Sequence, residues 1–214
     1  MRNFVCLVVL ILAVGIPQVG YSGWGWLVYH ERSFKGKVID AETKEPIEGA
    51  VVVAQYYINM LGPTGSHSTL TDVQEALTNK KGEFSIPSLT KFINPISVGD
   101  NTFFLIWKPG YKQEEIKDAY FFTKIPGTIE NLPVQTDKGF EMKPVRLGIV
   151  ELQKLKTNEE RKRNIPSLPS ATVGLDKIIN LIKLINEEED SLGLKKSDPY
   201  KAREFILKEM GRVK

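Results

Sequence analysis

Phe34–Ala54 reads FKGKVIDAETKEPIEGAVVVA, and Gln55–Ile58 continues it as QYYI. Ser33–Asp40 alternates, with Phe34, Gly36 and Val38 on one face, the two-residue period of a half-buried strand. Ala41–Pro46 is polar and ends in proline, which marks a turn. Ala50–Ile58 is rich in β-branched and aromatic residues, and its length suits a core strand. Pro46 restricts φ just ahead of that strand, and Ile47 is expected to pack inward. Gly36 and Gly49 fall where the backbone must turn sharply or approach another backbone.

Outward from this stretch the β pattern runs to about Leu147. Asn59–Thr69 holds two glycines and a proline and reads as a loop. Gln74–Thr78, Asn79–Gly82 and Glu83–Ile86 read as strand, tight turn and strand, with Gly82 supplying a positive φ. Residues 87–100 read as irregular. Thr102–Trp107 (TFFLIW) is the most apolar strand, ended by Pro109 and Gly110. Ile116–Thr123 and Gly139–Ile149 are weaker strand candidates. Short strands punctuated by Gly and Pro at this spacing predict a mainly β chain, an Ig-like antiparallel β-sandwich.

After Val150 the period changes. Glu151–Arg163 is highly charged, and Asn164–Val173, with Pro166 and Pro169, reads as a linker. In Leu175–Leu192 the apolar positions Leu175, Ile178, Ile179, Ile182, Ile185 and Leu192 recur at three- and four-residue steps, which predicts a helix stopped at Gly193. Ser197-Asp198-Pro199 signals a second, short helix carrying Phe205, Ile206 and Met210. A lone helix of the first one's length is marginal in water, so its stripe needs burial, on the chain's own sandwich or in a partner or second copy. The acid run Glu187–Asp190 is expected to form a solvated face.

Residues 1–22 read as a segment apart from the fold. Arg2 precedes an uncharged run, Phe4–Ile16, that is shorter than the ~20 residues a bilayer span needs. With small residues at Gly20 and Ser22, a cleaved signal peptide is expected, and with it export to the periplasm or cell envelope. The alternative is an uncleaved N-terminal membrane anchor, with Trp24, Trp26 and Tyr29 at the interface. Those aromatics have a second reading, as packing on the sandwich. The expected organisation is thus a signal segment at 1–22, a sandwich at 23–150, and a linker with helices at 151–214.

Of 214 residues, 42% are hydrophobic and 26% charged, which excludes wholesale disorder. A formal net charge of +3 lacks the clustered basic surplus of a nucleic-acid binder, so no nucleic acid is expected. The single cysteine, Cys6, excludes a disulfide scaffold and a cysteine zinc site. His30 and His67 stand in no H-x-x-E spacing, and no phosphate-cradling or serine-hydrolase motif occurs. No catalytic residue, cofactor or metal is expected.

The pattern G-x-V-x-D, turn, P-I-x-G-A-x-V formed by Gly36, Val38, Asp40, Pro46, Ile47, Gly49, Ala50 and Val52 resembles the opening of carboxypeptidase regulatory-like domains. Gly82 and Phe84 match that family's later G-x-F, and Gly110-Tyr111 its GY step. The resemblance covers about residues 34–112 and implies a transthyretin-like β-sandwich. The family is non-catalytic and occurs in exported bacterial proteins. It implies structural roles for these residues and a non-enzymatic binding or structural part in the cell envelope. A protein partner is expected there, and the alternative is an accessory subunit of an envelope enzyme or receptor. A hydrolase with an unrecognised site is the reading from a different class.

Overall fold

The computed structural model describes residues 28–62, 65–92, 97–137, 139–169 and 175–194. The segment 1–22, Trp24, Trp26, part of the linker and the helix expected after Ser197 lie outside the described residues. The strands are β1 (Val28–Glu31), β2 (Phe34–Asp40), β3 (Val51–Gly62), β4 (Gly65–Leu77), β5 (Glu83–Ile86), β6 (Leu89–Phe92), β7 (Ser97–Trp107), β8 (Glu114–Ile116), β9 (Ile129–Thr136), β10 (Gly139–Arg146) and β11 (Ile149–Leu152). Two helices follow, α1 (Asn158–Arg163) and α2 (Ile179–Ser191), and short 3-10 turns lie at Ala119–Phe122 and Leu175–Lys177.

The run AVVVA explains the layering. Along β3 successive side chains point to opposite faces, yet Val51, Val52, Val53 and Ala54 are all fully buried, so both faces of this strand are covered. The sheet ordered β4-β3-β7-β8 meets the sheet ordered β11-β2-β5 on one side. Between them Phe34, Val38, Val52, Ala54, Tyr56, Phe84, Phe104, Ile106, Val150 and Leu152 form the first core. On the other side Val51, Val53, Leu70, Val73, Leu105 and Trp107 meet Ile178, Leu181, Ile182 and Ile185 of the α2 region. The mainly β sandwich with a C-terminal helical extension is therefore present. The helix stripe is buried on the chain's own sandwich, as a third layer.

Several expected elements are corrected. Asn59–Thr69 is not a loop. β3 continues to Gly62 and β4 begins at Gly65, as one long ladder, because ladder bonds need no apolar side chain and Ser, Thr and Asn satisfy them. The irregular stretch 87–100 holds β6, which pairs with β1, and the start of β7. The turn at Asn79–Gly82 joins no hairpin: β4 pairs with β3, while β5 crosses over to pair with β2. Ile116–Thr123 is the end of β8 and a 3-10 turn. Gly139–Ile149 divides into β10 and β11, broken at Leu147-Gly148, where Gly148 takes φ +71°. β11 pairs with β2 in parallel, so the sandwich is not wholly antiparallel. It also straddles the boundary expected at residue 150, since Leu152 belongs to the core.

The expected helix at Leu175–Leu192 starts later, at Ile179, behind the 3-10 turn. Ile178 holds the N-cap position and offers no capping oxygen. The carboxylate of Glu75 on β4 takes that role, accepting from Asn180 N at 2.8 Å and Leu181 N at 3.0 Å. The helix ends as expected, with Gly193 at φ +63°. Leu194 N donates to Glu189 O and Gly193 N to Asp190 O, the paired bonds of a Schellman ending.

Candidate interaction surface

Several of the residues that carry the resemblance meet around the turn after β2 and the start of β3. Asp40 closes the β2 turn, its Oδ1 accepting from Glu42 N at 2.8 Å and Thr43 N at 2.9 Å, while Tyr111 Oη donates to its Oδ2 at 3.2 Å. The backbone N–H groups of Thr43 and then Glu42 hold its carboxyl below the usual range. Gly36 is a close approach: a Cβ there would stand 2.6 Å from the Phe84 ring. Gly82 has φ +73°, and a Cβ would collide with Val38 O. Gly49 and Gly110 have positive φ with open space around them. They are turn positions, and Gly49 is no close approach. Pro46 bridges to Ile39, and Val38, Ile47, Ala50 and Phe84 are core residues. Apart from Gly49 and Gly110, each of these residues contacts another part of the fold.

The buried charges also seat elements. Asp72 Oδ1 lies 2.6 Å from Lys177 Nζ, and Oδ2 lies 2.9 Å from Lys91 Nζ. Burial pushes this carboxyl up, and Lys177, Lys91 and the Val73 N–H outweigh burial and hold it low. The acid run at Glu187–Asp190 is only half a solvated face: Glu187 and Asp190 are exposed, but Glu188 and Glu189 are buried. Glu188 takes a bidentate pair from Arg161, at 2.8 Å from Nε and 2.6 Å from Nη2, and a further bond from Gly110 N. This pair ties α2 to α1 and to the turn after β7. α1 itself opens with a capping box between Thr157 and Glu160, a T-x-x-E signal present in the sequence. His30 is exposed and bonds Thr90 Oγ1, and His67 is exposed on β4. Tyr29 is buried and meets the Tyr56 ring edge-on at 6.4 Å, so of the three N-terminal aromatics this one packs on the sandwich. Among the described residues no group of three or more His, Cys, Asp or Glu could hold a metal ion, and no helix is long and apolar enough to cross a membrane.

What is turned outward is the β9–β10 ribbon. These strands pair with each other along Ile129–Arg146 and form a separate two-stranded sheet. No described residue in either strand is buried. The register puts Ile129, Pro133, Phe140, Met142 and Pro144 on one face, since residues paired across a ladder share a side. Ile129, Phe140 and Met142 are 63%, 75% and 65% exposed, and nearby Ile125 is 81% exposed. Apolar groups grouped on one face in this way mark a contact site more often than scattered ones do. Pro133 and Pro144 each remove a ladder donor, and Glu141 and Lys143 charge the outer strand. Both features discourage addition of a further strand, so the faces rather than the edges are open to a partner. At its base the ribbon is tied by Tyr120 Oη to Glu130 at 2.6 Å.

No model of a known protein family matches the chain, and no curated protein matches it. The fold defines the chain as a β-sandwich protein with a helix covering the outer face of one sheet.

Proposed function

We propose that the protein is a non-enzymatic, exported β-sandwich module that acts in the cell envelope by holding a protein partner against the exposed face of β9–β10. The observation that carries this reading is the grouping of Ile129, Phe140 and Met142 on the open face of a ribbon that belongs to neither core sheet. The signal-like segment at 1–22 and the resemblance to carboxypeptidase regulatory-like domains support the location and the class. The use of Asp72, Glu75 and Glu188 to seat α2 supports a non-catalytic role, since these charges serve the fold.

The test places a photo-crosslinking residue at position 140 in the full chain, in its own cells, and fractionates them. A discrete adduct in the envelope fraction is expected. It should be lost when Met142→Ser is added, with the unfolding midpoint unchanged. Protein that remains in the cytoplasm with an intact Met1, or no adduct at 140 beside adducts at control positions, would sink the proposal.

A further inference from the structure

A second feature lies at the base of the ribbon, where Tyr120 and Lys124 reach Glu130, and does not depend on export. β8 leaves β7 at Ile116, opposite Phe104. The chain then turns away through Lys117 and Asp118 into the 3-10 turn at Ala119–Phe122. Among the described residues, the edge of β7 at Asn101 and Thr102 has no strand paired to it on that side. A cleft of about 430 Å³ opens there, walled by the end of β1 and by the 3-10 turn. Its size falls in the range of small-molecule sites.

The charges in this cleft are unequally engaged. Its two carboxylates are held by their own walls. Glu31 Oε2 accepts from Tyr29 Oη at 2.9 Å and Thr102 Oγ1 at 3.1 Å, and Oε1 accepts from Arg32 N. Asp118 Oδ1 accepts from Tyr120 N at 2.9 Å. Two of its cations are less engaged. Arg32 and Lys117 make no ion pair among the described residues, whereas Lys124 pairs with Glu130 at 3.9 Å and lies 5.4 Å from the centre of the Tyr120 ring. With Lys124 paired outward to Glu130, the lining keeps two cations, Arg32 and Lys117, without an ion pair, beside two carboxylates already held by O–H and N–H donors.

We infer that this cleft binds a small hydroxylated monocarboxylate, of the chemical class of sugar acids, with Arg32 and Lys117 on its carboxylate. A single negative charge meets the two unpaired cations, Arg32 and Lys117. A phosphate dianion would set twice that charge beside Glu31 and Asp118. A guanidinium fork also fits a planar carboxylate better than a point charge does. The second lone pairs of Glu31 and Asp118, with the Asn101 amide, accept from ligand hydroxyls. A carboxylate without hydroxyls would leave those acceptors facing it. The Tyr120 ring, with Lys124 over it at 5.4 Å, forms the remaining wall.

The experiment titrates the full chain with glucuronate, glucose, acetate and inorganic phosphate, read by calorimetry and by amide shifts. Saturable glucuronate binding with a Kd of about 1 mM or below is expected, with shifts centred on Asn101, Lys117 and Tyr120. Arg32→Gln and Lys117→Gln should each weaken it about tenfold, while Phe140→Ser, on the ribbon, should not. Absence of glucuronate binding, equal binding of glucose or acetate, tighter binding of phosphate, or shifts centred elsewhere would each overturn the inference. Shift mapping on the unaltered protein keeps the test decisive if a variant fails to fold. Loss of the ribbon adduct with glucuronate binding intact would count against the proposed function alone.

Discussion

At Gly82 two constraints coincide. Its φ of +73° lies where L-residues rarely go, and the Val38 carbonyl oxygen occupies the place of a Cβ. Gly49 has a similar φ of +71° but open space, so it carries only the first constraint. The left-handed conformation costs a non-glycine residue roughly 1–2 kcal/mol. Gly49→Val should therefore lower stability by about that amount. Gly82→Ala adds a collision with backbone, which cannot swing aside, and should cost about 2–4 kcal/mol. Denaturant midpoints of the two variants at constant m-value would decide it. Equal losses would mean that the Val38 carbonyl yields to the new methyl group.

Among the elements, α2 depends most on residues distant in sequence. Its N-terminal N–H groups are capped by Glu75, about a hundred positions earlier, and its C-terminal turn is fastened through Glu188 to Arg161. Glu75→Ala should cost about 1–2 kcal/mol, the range for loss of a helix cap. Ile182 is fully buried against β3, β4 and β7. Ile182→Asp, which removes apolar contacts and strands a charge among them, should cost roughly 4 kcal/mol or more. Thermal unfolding followed at Trp107, buried in the same cluster, reports both losses. An unchanged Trp107 signal in Ile182→Asp would mean that α2 does not cover this sheet in solution.

On the scale of the whole molecule, the third layer makes the extension part of the folding unit. A chain ending after Leu155 would expose Val51, Val53, Leu105 and Trp107, and should bind hydrophobic dye and unfold at lower denaturant than the full chain. Equal midpoints and no dye binding would contradict this. Acid should act at the same seam. Asp72 titrates below its ordinary value of 3.8 in the folded protein, so the unfolded chain takes up its proton first as pH falls. The stability it contributes is complete above about pH 4 and is lost as pH drops through the lowered folded-state value. Asp72→Asn should reduce stability at pH 7 and flatten the decline below pH 4, seen in unfolding midpoints across that range. A variant that keeps the parent's steep acid limb would assign it to other carboxylates, Asp40 among them.

Local patterning determined much of this protein. The alternation at Ser33–Asp40, the β-branched run at Ala50–Ile58, the apolar stripe from Ile178 to Ile185 and the stop at Gly193 each follow from nearest neighbours along the chain, and each is present. So is the β-sandwich class, because short apolar strands broken by Gly and Pro have few other ways to cover themselves. Long-range pairing was decided only in three dimensions. β5 and β11 reach across to β2, Glu75 caps a helix about a hundred residues away, and Glu188 is buried by an arginine on another helix. Such choices leave almost no local trace, since an acidic side chain in a strand or on a helix has the same period whether it faces water or a cation. The ribbon face and the cleft belong to the same group. An exposed phenylalanine and a buried one look alike in sequence, and the free energy that separates them lies in contacts that exist only once the chain has closed on itself.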